Sequence, residues 1–318
     1  MRKIFITGGA GYIGSILTQK LLNYNYNVTV LDDFRYKQNL NHLCYLDNFK
    51  LVKGDVRNTE LVKELMANAD IIIPLAALVG FPICKSDPWN AESINKTAIL
   101  DMLRYKAKEQ IILMPTTNSA YGSGAEINGD STINNYCDEN SPLTPISKYA
   151  LDKVEIEKEL MQHENVISFR LATVMGMSNR MRMDLLVNQF VYRALTDKSI
   201  VLFESHFKRN YIHVRDVAYV FLLAISMFDK MKNEIYNVGL SSANLSKLEL
   251  CKKIKEHIPD LTIIESDIGT DPDKRNYIVS NKKIENKGFL PFYDLDKTIV
   301  ELIKGISTLK NTVYDNLI

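Results

Sequence analysis

Eight residues near the amino terminus, TGGAGYIG at 7–14, constrain the fold of this chain more than any other segment. They follow the apolar run at 3–7 and precede an amphipathic stretch at 12–25, so they form a turn between a strand and a helix. Glycine is needed where a backbone turns tightly, approaches a phosphate and packs a helix against a sheet. The first N–H groups of such a helix attract phosphates. The spacing GxxGxxG therefore predicts a dinucleotide site formed by Gly8, Gly11, Tyr12, Ile13 and Gly14.

Short apolar runs alternate with amphipathic stretches through the first half of the chain. The runs are apolar on both faces, as a parallel sheet covered by helices requires; they lie at 3–7, 27–32, 49–55, 70–77, 110–117 and 166–173. Helical periodicity lies between them, at 12–25, 58–69 and 93–107. This alternation predicts an α/β fold with a doubly wound parallel sheet.

The pattern changes after about residue 176. Helical stretches at 183–197 and 244–258 then alternate with short apolar segments at 199–203 and 210–214. We predict a dinucleotide-binding domain over 1–175, to which a later part of the chain at about 204–238 returns. Residues 176–318 are predicted to form mainly a smaller α/β lobe that binds the substrate.

Composition excludes several classes of protein. The formal charge of +1 provides no basic field for nucleic acid, and the mean hydropathy of −0.12 is ordinary for a globular domain. The longest apolar stretch, at 219–228, is too short for a membrane span and is expected to be a buried helix. The four cysteines are scattered without metal-ligand spacing, which favours free thiols, no metal site and a cytoplasmic location.

An acidic pair follows the second predicted strand, about one βαβ unit from the glycine-rich turn. A carboxylate at the position of Asp32 accepts the hydroxyls of an adenosine ribose and repels a 2′-phosphate, so it selects NAD over NADP. Arg35 is the one nearby residue that could weaken this selection. By their positions at strand ends, the other residues expected to contact the cofactor are Asp33, Asp55, Val56, Leu75, Ala76 and Ala77.

Tyr149 and Lys153 stand four residues apart in the helical pattern SKYALDKVEIEKEL, so their side chains share one helix face. A phenol has a pKa near 10 and is a poor base at neutral pH. A neighbouring ammonium, together with the charge of a nicotinamide, is expected to lower the pKa of Tyr149 and make the phenolate accessible. A run of hydroxyl residues at the end of the fifth predicted strand, 116–119, completes the set.

In this order, TGGAGYIG, Asp32, PLAA, TTNSAYG, YALDK and RNYIHVRD resemble the extended short-chain dehydrogenases, the NAD-dependent sugar epimerase/dehydratase family, over essentially the whole chain. The resemblance implies a Rossmann fold of the extended type with NAD as cofactor. It implies that Tyr149 takes the proton of the sugar C4 hydroxyl, that Thr117 bonds the same oxygen and that Lys153 holds the nicotinamide ribose. It also places Asn95 at the cofactor. Pro74 and Thr173 depart from the histidine and asparagine usual in the family.

The resemblance also implies a nucleotide-diphosphate sugar as substrate. Arg209 and Arg275 match positions where the family binds the diphosphate, which suits a guanidinium because it donates paired hydrogen bonds to phosphate oxygens. Asn118 and Asn188 are expected to contact the same substrate. Arg180 and Arg182 are weaker candidates for the cationic pocket; His213, in a short buried strand pattern, is expected to be structural.

A few sequence positions distinguish three reactions that members of the family catalyse. Dehydratases place Asp-Glu after the catalytic threonine, where Asn118 and Ser119 stand here, so a 4,6-dehydratase is disfavoured. Epimerisation at C3 or C5 needs a further acid/base pair, and Cys84 is expected to be a structural thiol. The remaining reaction is oxidation at C4. The ketone is then either the product, or an intermediate that takes back the hydride, as in a UDP-hexose 4-epimerase. The stretches AALVGFPICK, RMDLLVN and DPDKRNY resemble members that oxidise a GDP-linked heptose in capsular polysaccharide biosynthesis.

The resemblance implies a homodimer as well. Members of the family pair through the helix that carries YxxxK and the helix before the catalytic hydroxyl strand, here 148–163 and 90–107. A non-catalytic member would be expected to lack the tyrosine or the lysine, and both are present.

Overall fold

A sheet of seven parallel strands forms the centre of the computed structural model, which describes residues 2–36, 40–80, 84, 86–123, 136–266, 268 and 275–309. Its strands are β1 (Lys3–Thr7), β2 (Asn27–Asp32), β3 (Phe49–Lys53), β4 (Ile71–Pro74), β5 (Ile111–Thr117), β6 (Val166–Leu171) and β10 (Glu234–Val238). In space they follow the order β3-β2-β1-β4-β5-β6-β10. The predicted doubly wound α/β fold is confirmed.

The strand order reverses direction between β1 and β4, which is where an open parallel sheet leaves a crevice at its carboxyl edge. Three strands end two or three residues earlier than predicted, namely β3, β4 and β6, the last at Leu171. β3 ends at Lys53 before a glycine, and β4 ends at Pro74, whose nitrogen has no hydrogen to donate. Residues 54–55 and 75–77 therefore lie in the loops that border the crevice.

Helices cover both faces of the sheet. They are α1 (Tyr12–Asn23), α2 (Thr59–Ala67), α3 (Pro88–Glu92), α4 (Ala98–Tyr105), α5 (Lys148–Leu160), α6 (Leu186–Thr196), α7 (Val214–Ser226), α8 (Phe228–Met231), α9 (Lys247–His257), α10 (Lys282–Glu285) and α11 (Leu295–Ile306). A π-helical turn (Ser93–Thr97) joins α3 to α4, and a 3₁₀ turn (Asn118–Tyr121) follows β5. Successive residues of β1 point into two separate cores, with Ile4 and Ile6 in one and Phe5 in the other.

The first core contains residues of α1 and α7, and the second contains residues of α2, α4 and α5. The stretch 219–228, predicted to be a buried helix, lies mostly within the buried helix α7. Among the helices that the structure describes, none combines the length and apolarity that crossing a membrane would require.

Two small sheets stand outside the central one in the described part of the chain. One contains β7 (Thr173–Met175), β9 (Lys208–His213) and β11 (Asn244–Ser246), in the order β11-β9-β7. The other pairs β8 (Ser199–Leu202) with β12 (Thr262–Glu265). The division into a domain at 1–175 and a lobe at 176–318 remains a prediction.

Candidate active site

The glycine-rich turn lies between β1 and α1, pressed against the loop that follows β4. Gly8 has a φ of +70°, and a Cβ there would lie 2.6 Å from the backbone nitrogen of Ala76. A Cβ on Gly14 would lie 2.4 Å from the carbonyl oxygen of Gly8. Side chains are therefore excluded at both positions, and the backbone can approach a ligand closely. This cradle fits the pyrophosphate of a dinucleotide at the start of α1.

Asp32 ends β2 and connects it to the glycine-rich turn. Its carboxylate accepts hydrogen bonds from the backbone N–H of Ala10 at 3.0 Å and of Phe34 at 2.9 Å. Its residue surface is 6% exposed, and burial raises the pKa of the carboxyl above its usual value. Each oxygen keeps a second lone pair for a ribose hydroxyl. Arg35 is ion-paired with Asp33 at 3.1 Å, so part of its charge is already balanced.

The loops after β3 and β4 contain five residues predicted to contact the cofactor, namely Asp55, Val56, Leu75, Ala76 and Ala77. Asp55 accepts two hydrogen bonds from Arg57 Nε, at 3.0 and 3.1 Å, and this arginine lowers the pKa of its carboxyl. Asn95, in the π-helical turn, accepts from Leu78 N at 2.7 Å and donates to Leu78 O at 2.8 Å. Asn95 thus fixes the loop that follows Leu75, Ala76 and Ala77. Its direct contact with the cofactor stays a prediction.

Tyr12 lies at the start of α1, and its side chain connects this helix to the segment that follows β7. Its hydroxyl donates to Gly176 O at 2.7 Å and accepts from Asn188 Nδ2 at 3.3 Å. The Asn188 amide also accepts from Gly176 N at 3.0 Å and donates to Arg182 O at 2.9 Å. Both atoms of this buried amide therefore hold the backbone around Gly176, and the substrate contact predicted for Asn188 stays a prediction.

Tyr149 and Lys153 lie in the first turns of α5, which Ser147 begins by accepting the N–H of Ala150 at 3.2 Å. Lys153 is 5% exposed and donates to Pro115 O at 3.3 Å, with its Nζ 6.0 Å from the centre of the Tyr149 ring. Burial raises the pKa of Tyr149 to about 12 and lowers the pKa of Lys153 to about 8. The sequence predicts a lowered pKa for the phenol, with the nicotinamide charge contributing. The protein's own groups raise it instead, because desolvation outweighs the nearby positive charges.

The hydroxyl of Ser119 links Thr117, the last residue of β5, to Arg275. Thr117 Oγ1 donates to Ser119 Oγ at 2.9 Å, and Arg275 Nη1 donates to the same Ser119 oxygen. The positive charges of Arg182 and Arg275 both oppose the rise of the Tyr149 pKa that burial causes. Asn118 is fully buried, and neither of its amide atoms has a hydrogen-bond partner within the chain as described.

Arg209 reaches the same region from β9. Its guanidinium carbon lies 5.8 Å from the centre of the Tyr277 ring, and Tyr277 follows Arg275 by two residues. Residues 271–274 of the motif DPDKR lie outside the described residues, as do 81–83 and 85 of AALVGFPICK. His213 is fully buried, 2.5 Å from Glu301 and stacked on Tyr293, in agreement with a structural role.

A buried polar network beneath the site was not predicted from the sequence. Glu157 accepts from Ser168 Oγ at 2.7 Å and from Arg170 Nη2 at 2.6 Å. Arg170 Nη1 continues the network by donating to the Tyr121 hydroxyl at 2.9 Å, which donates in turn to Asn237 Oδ1 at 2.7 Å. A signal was present, because Glu157 follows Lys153 by four residues and so shares the helix face of Tyr149.

Comparisons with known proteins agree with this arrangement. Residues 4–239 match the model of the NAD dependent epimerase/dehydratase family. A putative UDP-glucose 4-epimerase of Methanocaldococcus jannaschii is 26% identical over 97% of this chain and 100% of its own length. The UDP-glucuronic acid 4-epimerase of Bacillus cereus, solved with UDP-glucuronic acid and NAD, superposes with a TM-score of 0.81 at 22% identity, over 96% of this chain and 99% of its own. The dTDP-glucose 4,6-dehydratase of Bacillus anthracis, solved with NAD, has a TM-score of 0.76 at 22% identity, over 96% of both chains. With its fold, its cradle and its YxxxK helix, the chain belongs to the NAD-dependent epimerase/dehydratase family and uses NAD as its cofactor.

Proposed function

We propose that the protein oxidises the C4 hydroxyl of a nucleotide-diphosphate sugar. The observation that carries this proposal is the chain of contacts from Thr117 through Ser119 to Arg275. It begins at the end of β5, which the Tyr149 helix contacts through the hydrogen bond from Lys153 to Pro115 O. It brings together a hydroxyl for the reacting oxygen, a phenol to receive the proton and a guanidinium for the diphosphate. Arg209 supplies a second guanidinium beside Tyr277.

Each residue has a defined task in this proposal. Tyr149 receives the proton of the C4 hydroxyl. Thr117, whose hydroxyl donates to Ser119 Oγ without substrate, turns its proton to the same C4 oxygen when the sugar binds. Bound NAD supplies the acceptor for the hydride. Lys153 holds the nicotinamide ribose, and its position next to Pro115 at the end of β5 keeps it near the crevice. The unpartnered amide of Asn118 is available to a sugar hydroxyl, which would relieve the cost of burying it alone.

The residues around the site favour C4 chemistry over the other reactions of the family. Asn118 and Ser119 have no acidic or basic group for the elimination of water. Cys84 Sγ donates to Leu78 O at 3.3 Å, and burial raises the pKa of this thiol. The thiol therefore stays protonated at neutral pH and cannot act as a base toward C3 or C5.

The substrate we propose is GDP-D-glycero-D-manno-heptose, converted to its 4-keto form in capsular polysaccharide biosynthesis. Support comes from the resemblance of AALVGFPICK, RMDLLVN and DPDKRNY to enzymes with that activity. The alternative is a UDP-hexose 4-epimerase, in which the hydride returns to the other face of the ketone. The names of the relatives from M. jannaschii and B. cereus favour this alternative.

The decisive experiment incubates the purified protein with GDP-D-glycero-D-manno-heptose, UDP-glucose and UDP-glucuronic acid in separate reactions and identifies the products by NMR. Our proposal predicts a 4-keto heptose with an equivalent amount of NADH formed. A C4-inverted UDP-hexose without net NADH would establish the epimerase instead. No conversion of any of the three sugars would contradict both.

A further inference from the structure

A segment outside the predicted cofactor site, residues 176–184, lies against the start of α1. Ser178 Oγ donates to Tyr12 O at 2.6 Å and lies 3.0 Å from Ser15 Oγ. The Tyr12 hydroxyl returns a hydrogen bond to Gly176 O at 2.7 Å. The segment is thus fixed beside the turn that forms the pyrophosphate cradle.

Arg180 extends from this segment toward the loop that follows Asp32. Its residue surface is 8% exposed, and its guanidinium carbon lies 4.2 Å from the centre of the Tyr36 ring. A guanidinium over an aromatic face is held there by a cation–π attraction, and its planar fork of N–H donors suits phosphate and hydroxyl oxygens. One of these donors is used within the segment itself, where Arg180 Nη1 donates to Met181 O at 2.7 Å.

Tyr36 adds a second observation at the same place. Its hydroxyl is buried, and it is without a hydrogen-bond partner across the described ranges of the chain. Buried hydroxyls nearly always have a partner, because leaving one without a partner costs about 1–3 kcal/mol. A ligand that supplies the missing partner would recover that cost.

The position of Arg180 also favours the cofactor over the sugar nucleotide as its ligand. Burial raises the pKa of Asp32, and the positive charge of Arg180 is one of the groups that oppose this rise. Tyr36, the residue that Arg180 contacts, follows Asp32 by four residues, so this contact lies on the loop that begins at the carboxylate expected at the adenosine ribose. The arginines expected at the substrate diphosphate are associated with other residues, Arg209 with Tyr277 and Arg275 with Ser119.

We propose that Arg180 and Tyr36 form a second cofactor-binding pair, which donates hydrogen bonds to the adenosine half of NAD. Arg182, two residues away, pairs with Asp184 and acts on the phenol of Tyr149. The proposal assigns the cofactor contact of segment 176–184 to Arg180, which lies over the ring of Tyr36. This inference depends on NAD as cofactor and is independent of which sugar reacts.

Equilibrium binding of NADH and of ADP-ribose to the full chain tests the pair, with binding followed by calorimetry. ADP-ribose lacks the nicotinamide, so a contact with the adenosine half should matter equally for both ligands. Because charged hydrogen bonds contribute about 1.5–3 kcal/mol, Arg180→Ala is expected to raise both dissociation constants about 10- to 100-fold. Tyr36→Phe should raise them about 2- to 10-fold. The affinity for the nucleoside diphosphate of the substrate, measured with GDP and with UDP, should not change.

Arg104→Ala is the matched control, since this arginine is exposed on α4 and its removal should leave both affinities unchanged. Arg180→Lys keeps the charge and serves if the alanine variant does not fold; it should bind both ligands more weakly than the native chain. Native NADH and ADP-ribose affinities in Arg180→Lys and Tyr36→Phe would overturn the proposal. A loss of affinity confined to GDP or UDP would also overturn it, because that result would assign Arg180 to the sugar nucleotide.

Discussion

Tyr149 and Lys153 occupy one face of α5, and burial drives both toward their neutral forms. The pKa of the phenol is about 12 and that of the ammonium about 8. Below pH 8 the lysine is charged and the phenolate fraction grows with pH; above pH 8 the lysine loses its charge. We expect turnover to rise from pH 6 to 8 and to stop rising steeply above pH 8. A pH–rate profile with saturating substrate measures this, and turnover that falls from pH 6 to 8 would contradict it.

Replacing the phenol separates its chemistry from its packing. Tyr149→Phe keeps the ring and removes the group that receives the C4 proton. General acid–base catalysis contributes about 10²–10⁴ in rate, so turnover should fall by about that factor while NADH binding stays native. Steady-state kinetics and calorimetry on the same preparation test both halves. Near-native turnover would show that Tyr149 has no part in the reaction.

Asp32 should determine the choice between the two nicotinamide cofactors. Its carboxylate repels a 2′-phosphate, whereas Arg35 and Arg180 nearby are positive. We expect NAD to bind more tightly than NADP, and Asp32→Ala to narrow that difference by weakening NAD and strengthening NADP. Affinities for both cofactors in both proteins test this. Equal affinities in the native protein would rule out the assignment.

At the scale of elements, the pair of Glu157 on α5 and Arg170 on β6 joins the catalytic helix to the sheet. Their side chains are 5% and 4% exposed, so removing one partner leaves a buried charge without compensation. Arg170→Met should therefore lower the free energy of unfolding by about 3–5 kcal/mol. Urea unfolding at pH 7 measures the loss.

The exposed pair of Lys198 and Asp260 provides the control for that measurement. Their side chains are 62% and 73% exposed, and Lys198→Met should cost at most about 1 kcal/mol. A loss in Arg170→Met no larger than in this control would show that the buried pair does not stabilise the fold.

Elements were predictable from sequence where one local rule determined them. The apolar runs predicted six strands of the central sheet, because both faces of a parallel sheet are buried. The ends of β3 and β4 were missed by two or three residues, although Gly54 and Pro74 mark them. Contacts such as Arg180 with Tyr36 join residues far apart in the chain, so no local pattern predicts them.

On the scale of the whole molecule, the helices predicted to form a dimer carry ion pairs between charged side chains. Lys148 lies 3.4 Å from Glu92, and Glu92 lies 3.9 Å from Lys96. These pairs connect α5 to α3 and to the π-helical turn within one chain. Apolar side chains remain exposed among them, with Leu151 at 42% and Trp89 at 73%.

We predict that this face pairs with a second copy of the chain. A stable interface buries about 800 Å² on each partner around an apolar centre, which Leu151 can provide on the exposed side of α5. Introducing a charge there, with Leu151→Glu, should shift the protein from dimer to monomer, because a glutamate would have to be buried in the interface. Sedimentation velocity at micromolar concentration measures the change. Val300→Glu, at a 36% exposed position on α11, should leave the dimer intact. A native protein that sediments as a monomer would exclude the dimer. A dimer that Leu151→Glu leaves intact would show that the two copies pair through another surface.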